Sequence, residues 1–142
     1  MKKVLHVTNW YPNPWNCLDG LFIQQQIAVF SQRIPGHTLH VQVRESEYFL
    51  RYQYIRYSTD VEGYYLLTRC RRHCLIEILS TVLLLWALYR QSKTSYQLIH
   101  VHIAYPLLRY VTWWRQYVNA PLLISEHWSA YHFHFYSPPN SP

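Results

Sequence analysis

The sequence predicts an α/β protein in which helices flank a mostly parallel sheet, and three observations support this class. A β-rich run at 2–8 is followed by a loop, a helix-like segment and a second β-rich run at 38–44. This order is a βαβ unit, whose strands are parallel because the helix returns the chain to the same end of the sheet. A second helix-like stretch at 73–90 leads to another strand at 97–103. Half of the 142 residues are apolar, so one domain of this length can bury a core.

The first βαβ unit is delimited by turn-forming residues. The predicted strand Lys2–Thr8 (KKVLHVT) ends in a loop that contains prolines. Asp19 is a candidate N-cap for a helix over Gly20–Gln32, whose apolar residues recur at helical spacing. Pro35–Gly36 ends this helix, and the strand Thr38–Arg44 follows.

The rest of the chain predicts further strands and helices. Residues 48–57 and 63–68 alternate between apolar and polar side chains, which indicates extended segments with one solvated face. The pattern leaves their pairing open. Later segments predict strands at 97–103 and 121–125 and a helix at 106–117.

The stretch 73–90 is predicted to be a helix packed on the sheet rather than a membrane span. Its apolar run is shorter than the ~20 residues that cross a bilayer, and polar residues interrupt it. Residues at spacings of three and four predict the stripe that faces the sheet. This predicted stripe consists of Leu75, Ile78, Val82, Leu85 and Tyr89. Arginines flank the helix, so contact with an anionic membrane surface is an alternative.

We expect one domain over residues 1–136 and a Pro/Ser-rich tail at 137–142. Everything after His127 is predicted to be loop, because prolines in the tail continue neither a helix nor a central strand. Thirteen basic and seven acidic residues give a net charge of +6, which favours anionic partners such as nucleotides, lipids or nucleic acid. Three cysteines and a start without a signal peptide predict a cytoplasmic location.

Polar residues cluster where the predicted strands end. In α/β folds, ligands bind beyond the carboxyl ends of the parallel strands. Three such ends carry candidate residues, in the segments 9–20, 102–106 and 126–129. We expect these segments to converge on one rim of the sheet.

Asp19 and Gly20 stand at a predicted helix start, where the backbone N–H groups and the helix dipole favour a bound anion such as phosphate. The alternative is that Asp19 only caps the helix. A single glycine is neither a Walker loop nor a dinucleotide fingerprint, so hydrolysis of nucleoside triphosphates is not expected.

His100 and His102 lie two residues apart on a strand, so they point to the same face. His102 is nearer the carboxyl end and is the candidate catalytic residue, while His100 is predicted to be structural. No group of histidines and cysteines reaches four ligands at a recognised zinc spacing, so neither a metal nor another cofactor is expected.

Glu126, His127 and Trp128 combine an acid, a base and an aromatic ring at the end of the last predicted strand. This set suits a hydroxyl-rich ligand, because polar groups bind hydroxyls and an indole covers the apolar face of a sugar. The alternative is that Trp128 packs on a neighbouring loop.

Three segments resemble the N-terminal domain of glycosyltransferase family 4, a group of retaining enzymes with the two-lobed GT-B fold. They read VLHVTNWYPNPWNCLDGLFIQQQ at 4–26, LIHVHIAYPLL at 98–108 and PLLISEHWSAYH at 121–132. The resemblance implies a Rossmann-like sheet in an incomplete N-terminal lobe. It also implies that the C-terminal lobe, which holds the nucleotide in this family, is missing.

The resemblance further implies transfer of a sugar from a nucleotide-sugar donor to a glycan or lipid-linked acceptor, as in polysaccharide biosynthesis. Gly20 matches the glycine that approaches the donor phosphates, and His102 and His127 match histidines near the sugar and the acceptor. The substrate-binding candidates are Asp19, Gly20, Glu126, His127 and Trp128.

Without a donor-binding lobe, the chain is expected to be inactive alone, because transfer needs both substrates held together with water excluded. It is expected in the cytoplasm or on the inner face of the membrane. The alternative function is a basic, aromatic-rich binding module for an anionic membrane or a nucleic acid. Scattered basic residues argue against nucleic acid, which favours a continuous basic stripe.

Overall fold

Six strands and two helices form the part of the chain that the computed structural model describes, which comprises residues 3–91, 93–103, 107 and 120–126. The strands are β1 (Lys3–Thr8), β2 (Gly36–Glu45), β3 (Leu50–Ser58), β4 (Val61–Thr68), β5 (Tyr96–His102) and β6 (Leu122–Ser125). The helices are α1 (Leu21–Ser31) and α2 (His73–Arg90). One sheet contains all six strands in the order β3-β4-β2-β1-β5-β6.

The predicted α/β class is confirmed, and the sheet is mixed. The pairs β1–β2, β1–β5, β2–β4 and β5–β6 are parallel, whereas β3 pairs antiparallel with β4. The pairing of the two middle segments, which the sequence left open, is therefore a hairpin. Ser58 pairs with Val61, and the two residues between them are too few for the crossover that a parallel pair requires.

The first βαβ unit forms as predicted, with one correction at the start of its helix. The N-cap of α1 is Gly20, in the left-handed conformation at φ 57°, and no side chain caps the helix. The prediction that Asp19 is the N-cap is wrong. Its carboxylate instead accepts hydrogen bonds from the side-chain amides of Asn13 and Asn16, at 3.1 and 2.9 Å, within the preceding loop.

The main apolar core lies between α2 and one face of the sheet. Residues of four neighbouring strands, β4, β2, β1 and β5, supply the sheet side of this core, and one face of α2 supplies the other side. Its fully or nearly fully buried members are Leu5, Val7, Leu39, Val41, Tyr64, Leu83, Leu84, Ala87, Leu88, Ile99, Val101 and Leu107.

The prediction of which residues of α2 pack on the sheet is wrong. Leu75, Ile78, Val82 and Tyr89 are exposed, and only Leu85 packs partly against the core. The buried face instead contains Ser80 and Thr81, among other residues. The Ser80 and Thr81 hydroxyls donate to the carbonyls of Ile76 and Glu77, four residues earlier in the helix. Each hydroxyl therefore keeps a hydrogen bond although it is buried.

We call the outward residues Leu75, Ile78, Val82, Trp86 and Tyr89 the α2 stripe; all five are at least 42% exposed. Within the described residues, α2 is the one helix whose length and composition would let it cross a membrane. In the structure its other face packs against β2 and β4. The predicted helix at 106–117, apart from Leu107, and the loop and tail after residue 126 lie outside the described residues.

Candidate functional site

The sheet face that packs under α1 is polar, although it is buried. In β1, β2 and β5, the residues that alternate with the apolar core point to this face. Six of them are at most 8% exposed: His6, Thr8, Thr38, His40, His100 and His102. We call this surface the histidine face. A second, smaller apolar cluster of Tyr11, Ile23, Ile27 and Ile103 lies on the same side of the sheet.

The direction in which strands are added to the sheet reverses beside β1. The chain runs outward from β1 to β2 and β4, and β5 then pairs with the other side of β1. Thr8 at the end of β1 is the register partner of His102 at the end of β5, and His102 is the partner of Ser125. The three predicted segments therefore begin side by side at one rim, where open α/β sheets bind ligands.

Gly20 is held against the loop that follows β1. A Cβ atom at this position would lie 2.5 Å from the carbonyl carbon of Trp10, and the backbone has a positive φ. Thr8 fixes this part of the loop, because its hydroxyl donates to the Trp10 carbonyl at 2.7 Å and accepts from the Trp10 N–H at 3.0 Å. Only glycine fits here without strain. The start of α1 is therefore pressed onto the carboxyl end of β1.

The rest of this loop is stabilised by Asn13. Its side-chain oxygen accepts from the backbone N–H groups of Trp15 and Asn16, and its amide donates to the Tyr11 carbonyl and to Asp19. Asn13 itself is buried. Asp19 thus holds the loop that shapes the rim.

His102 ends β5 and is almost fully buried, at 1% exposure. The next residue, Ile103, has φ 67°, a conformation that costs a β-branched residue about 1–3 kcal/mol. The Ile103 N–H donates to the Ser125 carbonyl at 2.9 Å, which fixes this turn against the end of β6. Strain of this kind at a strand end is typical of functional sites.

Three imidazoles, those of His6, His100 and His102, meet between β1 and β5; we call them the histidine cluster. His6 Nδ1 and His102 Nε2 are 3.2 Å apart, and the ring centroids of His100 and His102 are 3.9 Å apart. Each ring offers one nitrogen within 4.8 Å of the others. Burial, with a smaller contribution from His100, lowers the pKa of His6 to about 4. His6 is therefore neutral at physiological pH.

His40, on β2, connects the histidine face to the rim. Its Nε2 is 3.2 Å from the Asn9 carbonyl, which can only accept, so Nε2 carries the proton and Nδ1 accepts from the Tyr65 hydroxyl at 2.9 Å. The Tyr65 hydroxyl in turn bonds that of Tyr57. Burial lowers the pKa of His40 to about 4, against smaller opposing effects of Asn9 and Asp19.

The structure brings some of the sequence-predicted residues together. Gly20 lies against the loop that follows β1, His102 ends β5, and the exposed Glu126 directly follows β6. His127 and Trp128 lie outside the described residues. His100, predicted to be structural, is buried, and its Nε2 is 2.7 Å from the Ser125 hydroxyl.

Sequence analysis missed His6 and His40. Both stand inside apolar strands, where a histidine resembles one more buried position. The signal that identifies them is the two-residue period, because His6 and His40 each stand between two core residues of their strand, as His100 does.

Comparison with protein-family models found no match for this chain, and searches among curated proteins and among solved structures also found none. The geometry of the rim and of the histidine face therefore carries the functional argument.

Proposed function

We propose that this chain is the acceptor-side, N-terminal lobe of a retaining glycosyltransferase with a Rossmann-like sheet of the GT-B type. The observation that supports this most is the meeting of the Gly20 turn with the ends of β5 and β6, where the strand order reverses. Each of the three segments that resemble family 4 enzymes contains one of the strand ends at this rim. Ligands of open α/β sheets bind at such a position.

The start of α1 suits an anionic group of the donor. No acidic residue stands in the first turn of the helix, and the Asp19 carboxylate before it is bound by the amides of Asn13 and Asn16, so the positive end of the dipole favours an anion. The Gly20 backbone can approach a ligand closely because no side chain intervenes. In this proposal, a phosphate of the nucleotide sugar lies near the turn, and Asp19 keeps the loop in place.

His102 has an indirect role in this proposal. Its ring is covered and lies against His6, so we assign it to position the end of β5. Glu126, which is exposed after β6, is the described residue best placed to accept a hydrogen bond from an acceptor hydroxyl. His127 and Trp128 complete the acceptor side.

Sugar transfer requires a second lobe on the other side of the cleft. One sheet presents one side of a cleft, whereas a reacting donor and acceptor must be clamped from both sides with water excluded. We therefore propose that a donor-binding lobe docks over the rim, and that the enzyme acts on the cytoplasmic side, on glycan or lipid-linked acceptors.

The experiment that tests this function is ligand-observed NMR on the purified 142-residue chain. We expect saturation transfer to a glycan or lipid-linked oligosaccharide, weak or no transfer to nucleotide sugars, and no turnover when both are present. Glu126→Gln, which removes the carboxylate assigned to the acceptor, should weaken the glycan signal, while Asp60→Asn, at an exposed acidic residue beside the opposite edge of the sheet, should retain it. Turnover by the chain alone would contradict the assignment to a single lobe. Absence of binding to every glycan would contradict the acceptor role.

A second candidate function, contact with an anionic membrane surface, is favoured by the exposure of the α2 stripe. Arg69 and Arg72 precede this helix and Arg90 ends it, so cationic groups flank an outward apolar surface. Such a combination binds anionic lipid. In sedimentation with anionic vesicles, Val82→Asp should reduce binding, whereas Val29→Asp, at an equally exposed valine of α1, should not. Equal effects of the two changes would exclude the α2 stripe as the membrane contact.

A further inference from the structure

We infer that His6, His100 and His102 form a binding site for a divalent late transition metal, with Zn²⁺ as the best-fitting ion. This inference does not depend on the glycosyltransferase proposal. It contradicts the expectation from sequence spacing that no metal is bound, because the ligands come from two strands that are distant in the chain.

The distances between ring nitrogens fit one shared ion. Two imidazole nitrogens bound to the same tetrahedral zinc, each about 2.0–2.1 Å from it, lie about 3.3–3.4 Å from each other. His6 Nδ1 and His102 Nε2 are already 3.2 Å apart. The His100 nitrogen is within 4.8 Å of both, so binding of one shared ion requires this ring to move closer to the other two.

Metal binding also requires a suitable tautomer of each ring. Imidazole binds zinc, copper, nickel and cobalt through a neutral ring nitrogen. When an ion enters, the proton shared between His6 Nδ1 and His102 Nε2 moves to the far nitrogen of one ring, and both rings remain neutral ligands.

The surroundings of the histidine cluster resemble those of a metal site. The Ser125 hydroxyl is 2.7 Å from His100 Nε2 and orients that ring, as second-shell groups do for metal-bound histidines. The Phe30 ring from α1 stands edge-on to His6, with centroids 5.4 Å apart, and provides an apolar cover. His6 Nε2, which faces Gly36, is buried without a hydrogen-bond partner among the described residues. This second nitrogen points away from His102, so it can carry the ring proton while Nδ1 binds the ion.

Among the described residues the group has three members, so a water molecule or a substrate atom would take the fourth position. The ion would link β1 to β5 at the point where the sheet reverses direction. It would also fix His102, and with it the strained turn at Ile103, so metal loading would set the shape of the rim.

The first test is titration of the purified full chain with Co²⁺ and, in competition, with Zn²⁺. We expect one Co²⁺ per chain with the intense visible absorption of a four-coordinate site, and displacement by Zn²⁺. His6→Asn should weaken Co²⁺ binding by about 100-fold or more, because loss of even an outer-shell partner costs about 10- to 100-fold. His40→Gln, which changes another buried histidine of the same face outside the cluster, should change binding no more than about twofold.

Two further variants remove competing ligands. One replaces His127, His132 and His134 by Asn, and the other replaces Cys70 and Cys74 by Ser together with His73→Asn. Both should bind Co²⁺ as the wild type does. Loss of binding in either, or equal weakening by His6→Asn and His40→Gln, would overturn the assignment.

A measurement on the unmodified chain covers the case in which His6→Asn fails to fold. X-ray absorption of the Zn²⁺-loaded wild type should show three imidazole ligands and no sulfur. A thiolate ligand, fewer than three imidazoles or no stoichiometric binding would refute the site.

Discussion

The two faces of the central sheet are equally buried and chemically opposite. Leu39 and His40 are neighbours on β2 and both have no exposed surface, yet the first lies in the apolar core under α2 and the second on the histidine face. Each fully buried aliphatic side chain stabilises the fold by about 1.5–3 kcal/mol. A buried imidazole must instead find hydrogen-bond partners and give up its proton. The α2 side therefore supplies stability, and the histidine face supplies the groups that can bind.

The largest expected loss of stability comes from a substitution in the apolar core under α2. Leu84→Ala removes a side chain that is 1% exposed, and we expect it to lower the free energy of unfolding by about 4 kcal/mol, from lost transfer energy and the cavity left behind. Urea unfolding measures this. Val82→Ala, on the exposed side of the same helix, should change it by less than about 0.5 kcal/mol. Equal effects of the two changes would mean that α2 is not packed through the face described above.

Acid should destabilise the fold through its buried histidines. The pKa of His40 falls from 6.5 to about 4 on folding, so between these values the unfolded chain binds more protons than the folded one. Stability is therefore complete above pH 6.5 and declines as the pH falls towards 4, by about 3 kcal/mol for this group. His40→Gln should flatten the pH dependence by one proton in unfolding experiments between pH 7 and 4.5. An unchanged slope in this variant would assign the acid sensitivity to other groups.

A smaller loss of stability is expected from a substitution at Gly20, beside the rim. Gly20→Ala should destabilise the fold by about 2 kcal/mol, because the residue has a positive φ and its Cβ would collide with the Trp10 carbonyl. At Gly36 the nearest atoms to an added Cβ belong to the His6 ring at 3.0 Å, and the φ is not positive. Gly36→Ala should therefore cost less, which thermal unfolding of both variants can establish. The reverse order would show that the Gly20 turn is not constrained as described.

The smallest effect concerns the outer end of the hydrogen-bond chain from His40. Tyr57→Phe removes the hydroxyl that bonds Tyr65 and leaves the ring in place. We expect a loss of about 1 kcal/mol, typical of one hydrogen bond between neutral groups. Tyr52→Phe, on an exposed position of the same strand, is the control and should be neutral in the same denaturation assay. If Tyr57→Phe caused no loss of stability, the Tyr57 hydroxyl would not support His40 through Tyr65.

Much of the fold could be predicted from local patterns. The helix at 73–90 has the predicted bounds, because a long apolar run with helical spacing identifies a helix whichever face is buried. The face itself could not be predicted, because Ser80 and Thr81 conceal their hydroxyls by bonding carbonyls of their own helix. Apolar spacing alone predicts that Val82 is buried in preference to Ser80 and Thr81, although Val82 is exposed.

The candidate site was predictable only in part, for a reason of distance along the chain. The strand ends at Gly20, His102 and Glu126 are local features that a sequence displays directly. The partnership of His6 with His102 depends on the β1–β5 pairing, which no local pattern specifies. That Gly20 rather than Asp19 is the N-cap of α1 likewise depends on the contact between Gly20 and Trp10.

The separation of β1 from β5 also sets an order of assembly during synthesis. His6 precedes His102 by 96 positions, whereas the β3–β4 hairpin joins strands that are adjacent in the chain. Hairpins form within about 1–10 μs, while a ribosome adds about 5–20 residues per second. For several seconds the nascent chain therefore has β2 and β4 available on one side of β1 and nothing on the other. That open edge is the place where a newly made copy is most exposed to pairing with another chain.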